Sequence, residues 1–187
     1  MRVLGIAGSL RTASYNRGLL RAAQELAPDG MELDVYDIRD LPYYDGDLED
    51  AGVPEPVQRL RDAIREADAV VFATPEYNRG TSGVLKNAID WASRPPRQSV
   101  LDGKPVALMG ATTGISGTAN AQRQVREALL FPGAQTLPDE VLVARAGEKF
   151  DANGDLTDPE TRADVKVLME SLEAWAAKVR EALELAA

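Results

Sequence analysis

Three loops hold the side chains of this sequence that are capable of chemistry. The first reads Gly8-Ser9-Leu10-Arg11-Thr12-Ala13-Ser14-Tyr15-Asn16 and runs into a helical pattern. Its three hydroxyls, one carboxamide and one guanidinium meet the free amides of a helix start, which together suit a single phosphate, a phosphomonoester better than a diphosphate. Ser9 or Ser14 can equally act as a plain helix cap. Arg11 among hydroxyls in an acidic chain favours the phosphate. The second loop reads Thr74-Pro75-Glu76-Tyr77-Asn78-Arg79-Gly80-Thr81-Ser82-Gly83. Pro75 fixes one backbone angle and the glycines free others, so backbone amides and the Tyr77 ring can face a flat heteroaromatic ligand. By composition alone, a surface turn with a packed tyrosine is the simpler reading. The third loop, Thr112-Thr113-Gly114-Ile115-Ser116-Gly117, offers hydroxyls and glycines without a motif.

Other phosphate chemistries lack their residues. No Gly-x4-Gly-Lys-Ser/Thr string exists to cradle a triphosphate. The dinucleotide pattern Gly-x-Gly-x-x-Gly is also missing, since Gly5 and Gly8 have two residues between them and Gly5 falls inside a strand pattern. Asp37 stands where a ribose-binding acid could, but an isolated Asp before a loop reads more simply as solvated. Cysteine and histidine are both absent. Disulfides, thiolate nucleophiles, Cys/His metal sites and imidazole bases are thereby excluded, and no metal site is expected.

The elements that must position these loops can be read from hydrophobic spacing. Short apolar strands are expected at Val3 to Ala7, Met31 to Tyr36, Ala69 to Ala73 and Pro105 to Met109, and a fifth centred on Val141 to Val143. Helices are expected from about Asn16 to Leu26, Val57 to Ala67, Val84 to Ser93 and Thr118 to Leu130, and from about Pro159 onward. The segment from Leu41 to Pro56 reads as a proline-bearing loop. Strands alternating with helices imply a doubly wound α/β fold: a parallel sheet with helices on both faces, because each parallel crossover needs a long connection. Ligands of such folds bind outside the carboxyl ends of the strands, which is where the three loops fall.

With 187 residues, 44% hydrophobic and 27% charged, the chain is expected to form one globular domain spanning residues 1–187. Its net charge of −9 repels nucleic acid and anionic membrane surfaces. The opening apolar stretch is too short for a signal peptide and no segment approaches a membrane span, so a cytoplasmic protein is expected.

Gly8-Ser9-Leu10-Arg11-x-x-Ser14-x-Asn16, with Pro75-Glu76-Tyr77-Asn78 and Gly83-x-Leu85-Lys86-Asn87-Ala88-Ile89-Asp90-Trp91, resembles the NADPH-dependent FMN reductase family of chromate, quinone and azo-dye reductases. The similarity spans roughly residues 2 to 180. It implies the flavodoxin-like fold, five parallel strands in the order 2-1-3-4-5, and a homodimer or homotetramer. It implies FMN as cofactor, NADPH or NADH as co-substrate, and a small-molecule electron acceptor such as a quinone. Carried over by position, the phosphate falls to Ser9, Arg11, Ser14 and Asn16. The isoalloxazine falls to Pro75, Glu76, Tyr77, Asn78 and Gly80, mostly through backbone atoms, with Thr113 and Gly114 assigned by loop position alone. The segment Leu41-Pro42-Tyr43-Tyr44-Asp45 resembles the family's loop near the flavin and a subunit contact.

With a flavin, no side chain needs to act as acid, base or nucleophile, so no catalytic side chain is expected. Arg79 and Arg123 are candidates for a 2′-phosphate, though each also reads as a solvated arginine. A flavodoxin-like electron-transfer module is the alternative. A phospho-receiver domain is disfavoured, because Thr74-Pro75 stands where its acceptor Asp would be.

Overall fold

The computed structural model describes residues 1–186. Five parallel strands, β1 (Arg2–Ala7), β2 (Glu32–Tyr36), β3 (Ala69–Ala73), β4 (Pro105–Ala111) and β5 (Gln135–Val143), form one sheet in the order β2-β1-β3-β4-β5. The helices are α1 (Tyr15–Glu25), α2 (Gly46–Ala51), α3 (Glu55–Glu66), α4 (Gly83–Ala92), α5 (Ala119–Leu130) and α6 (Pro159–Ala186). This is the flavodoxin-like order expected from the resemblance.

Alternation along the central strand shows why the sheet is covered twice. Ala69, Val71 and Ala73 of β3 pack into one core with α1 and α6, while Val70 and Phe72 pack into the other with α3, α4 and α5. A strand buried on both faces must be apolar throughout, as the Ala-Val-Val-Phe-Ala run is.

Three expectations need correction. The Leu41 to Pro56 segment is not loop throughout, since α2 lies within it and Pro56 occupies the first turn of α3, where a fixed φ and a missing N–H cost nothing. No residue of α2 is fully buried, so hydrophobic spacing gives it no signal. It forms because Asp45 caps it through the Asp47 N–H and Glu49 reaches Arg61 and Arg94. Strand β4 runs past the expected Met109 to Ala111, so Gly110 lies within the strand. A Cβ at Gly110 would lie 2.3 Å from Thr118 Oγ1 and 2.4 Å from Thr74 O, so glycine is required by crowding there. Strand β5 begins six residues before Val141, through Pro138, Asp139 and Glu140, which read against a strand. Pro138 is tolerated because β5 is an edge strand whose register shifts between the Val106 and Leu108 pairings.

Truncating Phe72, which is fully buried in one core, should test this division of the sheet. Phe72→Ala is expected to lower unfolding free energy by about 3–5 kcal/mol in urea titrations. A loss below about 1 kcal/mol would show that β3 is not the packed centre.

Candidate functional site

Hydrogen bonds continue past the strand ends and carry the three loops off the sheet in register. Gly8 N–H donates to Ala73 O at 2.8 Å, Thr74 N–H to Met109 O at 2.9 Å, and Thr112 N–H to Val143 O at 3.0 Å. The loops after β1, β3 and β4 thus meet over one pocket of about 220 Å³.

Helix α1 begins at its edge. Ser14 caps the helix, accepting from Arg17 N–H at 3.4 Å. Between Gly8 and Arg17, no backbone N–H finds an acceptor among the described residues, so a run of amides is left free at a helix start. Ser9 and Ser14 are buried against the pocket, while Arg11 is exposed on its lining without an ion pair among the described residues. Free amides, hydroxyls and one guanidinium are the donor set a phosphate dianion requires.

Asn16 lines the pocket but is committed elsewhere as well. Its Nδ2 donates to Ala111 O at 3.0 Å and its Oδ1 accepts from Ala111 N–H at 2.9 Å, pinning α1 to the end of β4. Its remaining Nδ2 hydrogen is the part available to a ligand. Asp37 accepts from Arg17 Nη2 at 3.0 Å and from Arg39 N–H at 3.0 Å. Partial desolvation raises its carboxyl, but these donors outweigh it and hold the group below its ordinary value. Asp37 is therefore a paired structural acid.

The loop after β3 is a tight hairpin. Tyr77 and Gly80 exchange backbone hydrogen bonds of 2.9 Å in both directions, and Asn78 and Arg79 between them take φ of 50° and 62°. Two left-handed residues in a two-residue turn match the type I′ geometry, which Asn accepts more readily than Arg. Among the described residues the N–H groups of Glu76, Asn78 and Arg79 have no acceptor. Gly80 sits where a Cβ would meet Gln124 Oε1 at 2.7 Å, so its smallness packs the hairpin on α5.

The Glu76 side chain caps α5. Its carboxylate accepts from Ser116 Oγ and Asn120 N–H, each at 3.0 Å, from Ala121 N–H at 3.2 Å and from Asn120 Nδ2 at 3.3 Å. The helix's own cap position, Thr118, has φ 73° and makes no side-chain capping bond, so this acid from another loop fills the role. Desolvation pushes the carboxyl up, but the Asn120, Ala121 and Ser116 donors overcome it and hold it below the usual range. The second and third loops are thereby fixed to one another.

Of the residues expected at the site, Ser9, Arg11, Ser14, Asn16, Pro75, Glu76, Tyr77 and Thr113 line the pocket together. Asn78, Gly80 and Gly114 lie outside the lining; the first two shape the hairpin, and a Cβ at Gly114 would meet only Thr112 Oγ1 at 3.7 Å. Ala13, Tyr15, Ala111 and Thr112 complete the wall without having been expected. Tyr15 directly follows the cap residue, a position that could have indicated it; nothing local to Ala111 does.

The family model for NADPH-dependent FMN reductase matches residues 1–148. The chain belongs to that family. It is 46% identical over 181 residues to an NAD(P)H-dependent FMN reductase of Pseudomonas aeruginosa, covering 96% of this chain and 97% of the relative. A quinone reductase of Pseudomonas putida is 42% identical, covering 91% of each chain. Among solved structures, the flavoenzyme NAD(P)H:(acceptor) oxidoreductase FerB from Paracoccus denitrificans superposes with a TM-score of 0.85 at 39% identity, covering 95% of this chain and 97% of that one.

The Glu76 cap makes a pH prediction. A carboxyl lowered on folding contributes stability fully above the ordinary glutamate value near 4.5 and loses it as pH falls through the lower folded value. Glu76→Gln should therefore show a smaller drop in melting temperature between pH 7 and pH 3 than the parent. Glu76→Ala should cost about 1 kcal/mol at pH 7. Identical acid profiles for parent and Glu76→Gln would contradict the capping role.

Proposed function

We propose that this protein holds FMN across the carboxyl ends of β1, β3 and β4 and transfers two electrons from NADPH or NADH to small quinones. The observation that carries the proposal is the phosphate cradle of free amides around Ser9, Arg11, Ser14 and Asn16, opening toward the unsatisfied amides of the Glu76 to Arg79 hairpin. FMN held there would supply the redox chemistry, hydride acceptance from the nicotinamide and delivery to the acceptor. Overall, NAD(P)H, one proton and a quinone give NAD(P)⁺ and a hydroquinone.

Each protein group has a holding role in this reading. Arg11 and the hydroxyls of Ser9 and Ser14 bind the phosphate, and Asn16 sets the spacing between that cradle and β4. Pro75, Glu76 and Tyr77 offer backbone along the ring, where the free N–H of Glu76 is the dipole placed to stabilise added negative charge. Asn78 and Gly80 keep the turn in shape, and Thr113 offers a hydroxyl from the third loop, with Gly114 acting through that loop's form. The reductases and FerB among the similar proteins favour this reading over a flavodoxin-like carrier, which would need a separate reductase.

We also propose association into a homodimer or homotetramer. The apolar residues of α4 do not supply the contact, since Leu85, Ile89 and Trp91 turn fully into the core. Leu130, 76% exposed, and Phe131, 95% exposed, at the end of α5 supply an apolar surface in their place. Among the described residues, no helix is long and apolar enough to cross a membrane.

The purified protein should be yellow and should bleach when NADPH is added without air. A colourless protein that ignores added FMN would refute the proposal, and a yellow one that NADPH and NADH leave oxidised would indicate a carrier. Arg11→Ala should weaken FMN binding by about 10- to 100-fold, the worth of one charge-assisted hydrogen bond. Sedimentation should give a species heavier than 20.2 kDa at micromolar concentration, and a monomer would contradict association.

A further inference from the structure

A second groove, of about 350 Å³, opens beside the phosphate cradle and shares Ser9, Arg11 and Tyr77 with it. Its volume is in the range of small-molecule sites. Beyond the shared residues its walls are mostly apolar and include Leu10, Val84 and Tyr43. Tyr43 is 80% exposed and Tyr77 51%, so both rings present broad faces that the protein's own packing does not use.

An exposed tyrosine on a loop is commonplace, but this loop is held unusually firmly on both sides of it. Pro42 O accepts from Asn87 Nδ2 and from Trp91 Nε1, each at 2.8 Å. Tyr44 N–H donates to Asn87 Oδ1 at 2.7 Å, and the Tyr44 ring meets Trp91 edge-on at 4.9 Å. The Arg94 guanidinium lies 5.5 Å over the same ring. Tyr44 Oη donates to Glu49 at 3.1 Å, and Glu49 in turn accepts from Arg94 Nε at 2.9 Å and lies 3.7 Å from the buried Arg61. Neighbours fixed on either side hold the backbone at Tyr43 in place, so a ligand has only the ring left to order.

We infer that Tyr43 and Tyr77 form an aromatic clamp for the planar ring of the electron acceptor, and that the Glu49 cluster is the positioning device for Tyr43. The inference rests on the FMN-dependent reading above. Two aromatic walls with apolar neighbours suit a neutral quinone, whereas the phosphate-bearing part of a nicotinamide cofactor needs cations, and Arg11 is the one cation on these walls.

Oxidised holoenzyme binds a quinone without reducing it, so affinity can be read apart from turnover. Duroquinone titrated into it, followed by flavin absorbance, should bind about tenfold more weakly to Tyr43→Ala, while Tyr43→Phe stays within about twofold of the parent. FMN content and the rate of anaerobic bleaching by NADPH should be unchanged in both. Glu49→Ala should weaken duroquinone binding similarly with Tyr43 intact, and Glu49→Gln, which keeps the acceptor for Tyr44 and Arg94, should recover most of it. Parental duroquinone affinity in Tyr43→Ala overturns the clamp, as does a loss of FMN or bleaching rate equal to the loss of quinone binding. Parental affinity in Glu49→Ala overturns the positioning role. A parent protein that takes up no FMN refutes the oxidoreductase reading itself, a result distinct from a flavoprotein whose quinone affinity ignores Tyr43.

Discussion

Three backbone hydrogen bonds just beyond the sheet, from Gly8, Thr74 and Thr112, hold the site together. Each extends a strand ladder by one residue, so three separate loops inherit the stiffness of a sheet buried on both faces. Side chains then tie the loops to one another: Asn16 spans from α1 to Ala111, and Glu76 spans from the second loop to the start of α5. None of these links involves a reactive group. Their effect is to keep unsatisfied donors fixed in place, which is what a chain without histidine or cysteine can contribute to redox chemistry.

Much of this was legible in the sequence. The Ala69 to Ala73 run announces a doubly buried strand, and the first loop's hydroxyls, carboxamide and guanidinium before a helix start fall on one pocket, at Ser9, Arg11, Ser14 and Asn16. What stayed hidden depends on contacts between distant segments. Helix α2 has no apolar face to detect, and the Asp45 cap, with Arg61 and Arg94 from elsewhere in the chain, makes it. The first half of β5 contradicts strand propensity, and only an edge position with a shifted register explains Pro138. The second loop reads as backbone facing a flat ligand, and Glu76's part as the cap of a helix some forty residues away has no local signature.

A net charge of −9 would seem hostile to phosphate-bearing ligands. The distribution of cations answers this. Arg17, Arg21, Arg59, Arg65 and Arg162 are all engaged with carboxylates, whereas Arg11, Arg79, Arg123 and Arg145 make no ion pair among the described residues. These four stand on the loops and the first half of α5 at the sheet's carboxyl edge, Arg145 donating its N–H to Gly114 O there. Within a Debye length of about 8 Å at physiological salt, it is this local surplus and not the global deficit that an approaching anion meets.

The loop bearing Tyr43 is attached to the molecule differently from the other three. Those hang from the sheet ladder; this one is fastened by side chains to α3 and α4, through Asn87, Trp91, Arg61 and Arg94. Two independent anchorages allow two independent histories. Mutational drift in the 41–51 segment can reshape one wall of the groove without disturbing any bond that holds the phosphate cradle. If the groove takes the acceptor, its specificity can thus be changed through side chains that make no bond to the loops after β1, β3 and β4.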